Sequence, residues 1–449
     1  MISDYLVTRQ NLFFKWSGLF IVLIFLTSFI FRVTYIPNQL ILLASGVLLL
    51  TLIFLPLFLF VNLKNLDNRV SVWVHIAGLF FCFLLIWVLF IWHIVPIIHA
   101  QFRVMPFSQA QIIFVMVFTG IGSLAYFLLF LNRNVTKNIR ADGVYFILVF
   151  TLSIIFTALN FPLQVQAPDR LFNPDINNPV YSRGDGPLIY IDEGHCNFHT
   201  LRDRLITTGR ILRNDGYVVE SYRGEIEKDR LSKCKILVIV NALNKENQYN
   251  WSNPTYSAFT PSEIDIIHSW VNEGGSLFLI ADHMPMPGAV AALASRFGFE
   301  LENGHASDTL GLPDYFTRAS GTLADDKVTN GRILAERVDS ILTFGGHAFR
   351  YPEEATSFMT FDSLYFQWNP EQAWQFEDAE PYSIYNYSQG AYRTFGKGRI
   401  VVLGEAMMVT AQLGAGLSMI KMGMNTDAAP YNYQLLLNII HWLDNKISS

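Results

Sequence analysis

The chain is poor in charge and in cysteine. Only 15% of its 449 residues are Asp, Glu, Lys or Arg, against 51% hydrophobic residues, a balance too apolar for an ordinary soluble enzyme. Three cysteines exclude a disulfide scaffold, and with Cys82 inside an apolar run they leave Cys196 and Cys234 as the one pair to consider. Cys196 follows the C-terminal end of an expected strand and Cys234 precedes the N-terminal end of another. Parallel strands would hold them about 20 Å apart, so no disulfide is expected. The sequence also lacks a phosphate loop, a dinucleotide fingerprint, a Cys-x-x-Cys pair, low-complexity tracts and solenoid-type repeats.

What is present is unevenly divided. Residues 1–161 hold nine Lys and Arg against three Asp, leaving 23 basic and 34 acidic residues for the rest. A second half so acidic would repel nucleic acid. The first half contains five apolar runs, at 16–31, 39–61, 70–95, 109–131 and 143–161, each near the roughly 20 residues that cross a bilayer. They are apolar all round, without the polar stripe of a surface helix. The first ends in Phe31-Arg32 without a small-residue cleavage site, unlike a signal peptide.

Flanking charge sets the expected orientation. Arg9, Lys15, Lys64, Arg69, Arg133, Lys137 and Arg140 fall on one side and Arg32 and Arg103 on the other. That places the N-terminus in the cytoplasm and, after five spans, the C-terminal domain outside, in the periplasm of a bacterial inner membrane. His75, His93 and His99 lie near span ends, where lone histidines read as interfacial with a transport or relay role as the alternative, and Trp16, Trp73, Trp87 and Trp92 read as anchors or packing.

Residues 162–186, with Pro162, Pro168, Pro174 and Pro179, read as a linker. From 187 to 449 strands and helices alternate: Leu188–Ile191, a helix over Leu201–Asn214, Tyr217–Ser221, a short helix Glu225–Leu231, and the unbroken Ile/Leu/Val run Lys235–Val240. Thr260-Pro261-Ser262-Glu263 spells a helix start with a capping box. That helix should stop at Gly274-Gly275, before a strand at Ser276–Ala281 and a helix at Ala289–Phe297. Residues 299–395 form an irregular insertion with expected strands at Ile341–Phe344, Ser357–Phe361 and Tyr382–Tyr387, a turn at Gln389-Gly390, and a strand at Tyr392–Phe395. Arg399–Leu403 and a helix over Tyr433–Asn445 close the chain. The expected fold is a multi-span α-helical membrane domain plus an α/β doubly wound parallel-sheet, flavodoxin-like domain.

The element order, with the phrases "WVNEGGSLFLIADH" and "GKGRIVVLGE", resembles the class I glutamine amidotransferase-like superfamily. It is nearest the non-catalytic branch associated with gliding-motility and ABC-transporter machinery. The resemblance covers 187–298 and 399–446. In true amidotransferases the strand at Ser276–Ala281 leads into a nucleophile elbow carrying Cys. Here Asp282-His283 stand in that place, so glutaminase chemistry is not expected.

Parallel sheets bind ligands beyond the carboxyl ends of their strands. The loops there carry Asp192, Glu193, His195, Asn197, His199 and Thr200, then Asn241, then Asp282 and His283, then Glu405. His195, His283, Asp282 and Glu193 are the catalytic candidates. Asp192, Asn197, His199, Thr200, Asn241 and Glu405 are candidates for ligand binding. His195, His199, Asp282 and His283, with His305 and His347 behind them, are a donor set suited to Zn²⁺ or another divalent metal, which would activate water for hydrolysis. The same residues have a structural reading as loop braces and helix caps, and a metal-free ligand site is the third. Cys196 beside these imidazoles is a nucleophile candidate. A helix starting at His199-Thr200 would favour a small anionic ligand. Two functions therefore stand open: a membrane-anchored, ligand-binding domain with a metal-dependent hydrolase as its catalytic form, and a non-catalytic sensor or scaffold subunit of a membrane complex.

Overall fold

A computed structural model describes residues 2–33, 39–63, 69–102, 109–131, 137–159, 166–308, 314–414 and 421–447. The described chain divides into two units: the helices up to Gln166, and Ala167 to Leu413 together with the segment from Lys421 on.

The first unit is helical. Helix α1 (Ile2–Val33) is followed by α2 (Gln39–Leu49), which passes through a π-turn at Leu50–Phe54 into α3 (Leu55–Leu63). Then come α4 (Arg69–Phe102), α5 (Gln109–Leu131) and α6 (Lys137–Leu159). Each expected apolar run is thus helical over its described residues, and α2 to α3 accounts for one of them. Four windows among the described residues, Leu12–Phe31, Ile41–Phe60, Val72–Ile91 and Ala141–Ala158, are long and apolar enough to cross a membrane, and α5 contributes the shorter Phe114–Leu128. Phe14, Phe25, Phe54, Phe58, Phe146 and Phe150 fill the interior, with the rings of Phe58 and Phe146 stacked at 4.3 Å. The outward positions are apolar as well, including Trp16, Trp73, Phe114 and Phe118. Inside, His75 Nδ1 lies 2.8 Å from the Tyr126 hydroxyl. The side chains of Trp92, His93 and His99, and the loops carrying Lys64, Arg103 and Arg133, lie outside the described residues.

The second unit is built on a nine-stranded mixed sheet. Its strands are β1 (Leu188–Asp192), β2 (Val218–Tyr222), β3 (Ile236–Val240), β4 (Ser276–Ile280), β5 (Glu300–Leu301), β6 (Phe349–Arg350), β7 (Thr356–Thr360), β8 (Ser388–Phe395) and β9 (Gly398–Leu403). Their order is β2-β1-β3-β4-β9-β8-β6-β5, with β7 also paired to β8. β2, β1, β3, β4 and β9 are mutually parallel, and the pairs beyond β9 are antiparallel.

Alternation of side chains explains why the central strands are unbroken apolar runs. Ile236, Val238 and Val240 join a core with α7 (Ile206–Asn214) and α10 (Asn432–Leu443). Leu237 and Ile239 join the opposite core, with α8 (Pro261–Glu273) and α9 (Met286–Ser295). A strand with a helix layer on each face has no polar side to show.

Three local expectations change. The strand expected at Tyr382–Tyr387 is confined to Tyr382–Ser383, because the Ile384 carbonyl accepts from Tyr387 N and Asn386 takes φ +66°, turning the chain. The helix expected from Leu201 begins at Ile206, because the Thr200 carbonyl accepts from both Asp203 and Leu205 and winds residues 200–205 into a turn. Gln389-Gly390 make no turn but lie within β8. A Cβ on Gly390 would come within 2.8 Å of the Phe358 ring, so this glycine permits close strand packing.

Candidate functional site

The candidate residues separate into two groups along the carboxyl ends of the strands. The first is built around the loop after β1. The Asp192 carboxylate accepts from Gly194 N, from Asn197 Nδ2 and from His195 Nδ1, the last at 2.9 Å. The other ring nitrogen of His195, Nε2, is 2.9 Å from Glu263 Oε1. His195 is thus a buried strut between two carboxylates. Burial pulls its pKa down, but the bonds and charges of Asp192 and Glu263 outweigh that and hold it above the ordinary value.

Glu263 owes its position to the capping box at the start of α8. Its Oε2 accepts from Thr260 N and Oγ1, while Oε1 accepts from Ile226 N as well as from the imidazole. Burial would raise its pKa, but the Thr260 and Ile226 amides and His195 lower it. Both His195 nitrogens are spent on this brace, so the loop is pinned to α8.

Glu193 is engaged nearby. Its Oε1 accepts from Leu201 N at 2.8 Å and its Oε2 meets Arg223 at 3.2 Å. The anion site expected at His199-Thr200 therefore has neither a helix start nor a free Leu201 amide. Cys196 is half-buried with φ +45°, and it, Cys82 and Cys234 are free thiols.

The second group lies over β3, β4 and β9. Asn241, at the end of β3 with φ +47°, accepts from Asp282 N at 2.8 Å through Oδ1. That fixes which way its amide points, so Nδ2 donates to His199 Nδ1 at 3.0 Å. His199 Nδ1 must then be a lone pair, and the ring carries its proton on Nε2. Burial agrees with a neutral ring, driving its pKa to about 3, with Arg204 and His283 adding to the effect.

His283 has the opposite tautomer. Its Nδ1 is 2.8 Å from the Met284 carbonyl, which can only accept, so the neutral ring has its lone pair on Nε2. Asp282, half-buried, accepts the His283 backbone N–H. Among the described residues neither His199 Nε2 nor His283 Nε2 has a hydrogen-bond partner.

Behind this pair sit groups whose charged forms burial disfavours. His347 is fully buried, with its pKa lowered to about 4 by burial against weak contacts from Gly404, Asp282 and Ala281. Glu405, 1% exposed, accepts from Met407 N and Met408 N, and burial followed by the charge of Asp282 holds its carboxyl well above the usual range. Burial also lifts Asp314 to about 6. His305 brings its ring within 6.0 Å of that of His283. Among the described residues no three His, Cys, Asp or Glu side chains are grouped so as to hold a metal ion.

Aromatic rings form the rim. Trp374 packs on His283 at 4.4 Å and on His305 at 5.2 Å, while Trp251 lies 6.0 Å from His283 and 5.5 Å from Phe198. The loops carrying the two tryptophans are joined through the backbone, Asn253 N to Glu371 O at 2.8 Å and Ala373 N to Trp251 O at 2.9 Å.

The structure thus brings His199, Asn241, Asp282, His283, His305, His347 and Glu405 to one end of the sheet and sets Asp192, Glu193, His195, Asn197 and Thr200 beside them in a braced loop. The polar, aromatic loop Asn244–Ser257, which holds Trp251, reads in the sequence as a lid or binding loop; Glu263, Asp314 and Trp374 were missed as members of the site. Glu263 announced itself only as a cap, and Trp374 sits in a loop without periodicity.

No protein-family model matches the sequence. No curated protein matches it either. Among solved structures, the mmIFT52 N-terminal domain aligns with a TM-score of 0.40 at 12% identity over 57% of this chain and 97% of its own. The cytoplasmic protein STM3548 from Salmonella typhimurium gives 0.34 at 11% identity over 57% of this chain and 98% of its own. The exo-beta-1,4-mannosidase Op5Man5 from Opitutaceae bacterium strain TAV5 gives 0.27 at 14% identity, over 60% of this chain and 35% of that enzyme.

Proposed function

We propose that this chain is a membrane-anchored receptor whose α/β domain binds a small polar ligand beyond the carboxyl ends of β3, β4 and β9. The observation that carries the reading is the pair of imidazoles with opposite tautomers. His199 presents an N–H and His283 a lone pair, each without a partner among the described residues, beside the half-buried Asp282 carboxylate. The two imidazoles are close enough for His283 to act on the charge of His199, and an open donor beside an open acceptor is what a polar ligand would complete. A pure scaffold subunit would have no use for them.

The apolar helices of the first unit support a multi-pass anchor in a bacterial inner membrane, N-terminus inside and this domain outside, on the distribution of Lys and Arg. The parallel strand order β2-β1-β3-β4-β9 supports a doubly wound, flavodoxin-like reading of the domain and, with it, the amidotransferase-like resemblance. The catalytic form expected from the sequence, a metal-dependent hydrolase, draws no support from His199, His283 and Asp282, which are not grouped so as to hold an ion among the described residues, and elemental analysis of the purified protein tests it.

The binding test is a thermal-shift screen of the full chain in lipid nanodiscs against small polar compounds, repeated with Asp282→Asn and His283→Gln. Stabilisation by a compound that both variants lose supports the reading. Stabilisation that both variants retain would show that this end of the sheet is not the site.

A further inference from the structure

The donors and acceptors of the site, together with its rim, specify the class of ligand. We propose that the ligand is a neutral saccharide, one ring of which lies against Trp374 and Trp251; this rests on the receptor reading above.

The polar part of the argument concerns charge. An anion would meet Asp282, and the two arginines described nearby are engaged elsewhere. Arg204 is bound to Asp203 and to the Phe198 carbonyl and is stacked 4.2 Å above the Phe198 ring, and Arg223 is engaged by Glu193. A cation would find Asp282 but also the His199 N–H, a donor it cannot accept. A hydroxyl group both donates and accepts. Neighbouring hydroxyls of one sugar ring can take the His199 Nε2 proton as acceptor while donating to His283 Nε2 and the Asp282 carboxylate. The mixed set therefore matches a polyol better than either kind of ion.

The apolar part concerns Trp374. It is 57% exposed and held at φ +69°, a conformation that costs a non-glycine residue stability, and its indole recovers little of that by burial. The exposed ring stands over His283 at 4.4 Å, where the Trp251 loop meets its own loop through the backbone. A flat aromatic surface beside open hydrogen-bonding groups receives the C–H face of a pyranose, whose hydroxyls lie around its edge. A ligand without an apolar face would leave that surface uncovered.

The test uses the full chain in lipid nanodiscs, free of glycoside detergents. It is probed against an array of neutral oligosaccharides of the gluco, galacto, manno and N-acetylhexosamine series, with choline and inorganic phosphate as ionic controls. The expected result is binding of at least one neutral sugar, weakened about tenfold by Trp374→Ala and largely kept by Trp374→Phe, which retains a stacking face. Loss of binding in Asp282→Asn is expected alongside. If choline or phosphate binds in an Asp282-dependent way and no sugar does, the saccharide proposal is overturned while the receptor reading stands. If a sugar binds but Trp374→Ala leaves its affinity unchanged, the stacking geometry proposed here is wrong. If none of these probes binds, the saccharide proposal falls.

Discussion

Replacing His195 by alanine leaves Asp192 and Glu263 facing each other across a buried gap. The imidazole is 8% exposed and lies 2.9 Å from each carboxylate, so its removal leaves the charges uncompensated. Breaking a buried pair in this way costs about 3–5 kcal/mol, a large part of the roughly 5–15 kcal/mol that stabilises a domain. For a domain of this size the midpoint should fall by about 6–20 °C. The pH dependence follows from the two shifts. His195 has its pKa raised in the folded state, so its contribution is complete below the unfolded value near 6.5 and is lost as pH rises through the higher folded value. Glu263 has its pKa lowered, so its contribution is present above 4.5 and is lost as pH falls through the lower folded value. The brace is thus strongest between about pH 4.5 and 6.5. The assay is tryptophan-fluorescence thermal unfolding of the full chain at a fixed scan rate from pH 4 to 9. His195→Ala should flatten the loss above pH 6.5. A loss below about 1 kcal/mol for His195→Ala would refute the strut.

Other expectations are equally direct. Nitrogen-15 NMR of the imidazoles should show His199 as the Nε2–H tautomer across the neutral range, and Asn241→Asp, which replaces the Nδ2 donor with an acceptor, should move a proton to Nδ1. Glu193→Ala should release the Leu201 amide and destabilise the domain by about 1 kcal/mol, measured as a midpoint shift, with little effect on His199. Alkaline phosphatase fused after residue 449 should be active in a Gram-negative host; an inactive phosphatase fusion with a fluorescent counterpart would reverse the orientation.

The parallel core was legible because burial on both faces writes itself into a strand as an unbroken apolar run. Ile236–Val240 and Ser276–Ile280 show this, and Thr260-Pro261-Ser262-Glu263 marked its helix start correctly because a capping box is a local device. The errors came where contacts that leave no mark on the apolar pattern decide. The helix start at Leu201 gave way to a turn closed on the Thr200 carbonyl, and Gly390 served a Phe358 ring rather than a turn. The site was legible as a set of loops but not as a division of labour. Nothing in the order of residues said that His195 would be consumed by Glu263, 68 positions away, while His199 and His283 would keep a nitrogen open.

The rim above that site is fastened by main-chain bonds, Asn253 to Glu371 and Ala373 to Trp251, with one isolated bridge between Ser252 and Gln372. Such a fastening depends little on which side chains the two loops carry. Residues there can be exchanged without undoing the frame that presents them, so new ligand preferences can arise by substitution at the rim while the sheet and its braced loop stay as they are.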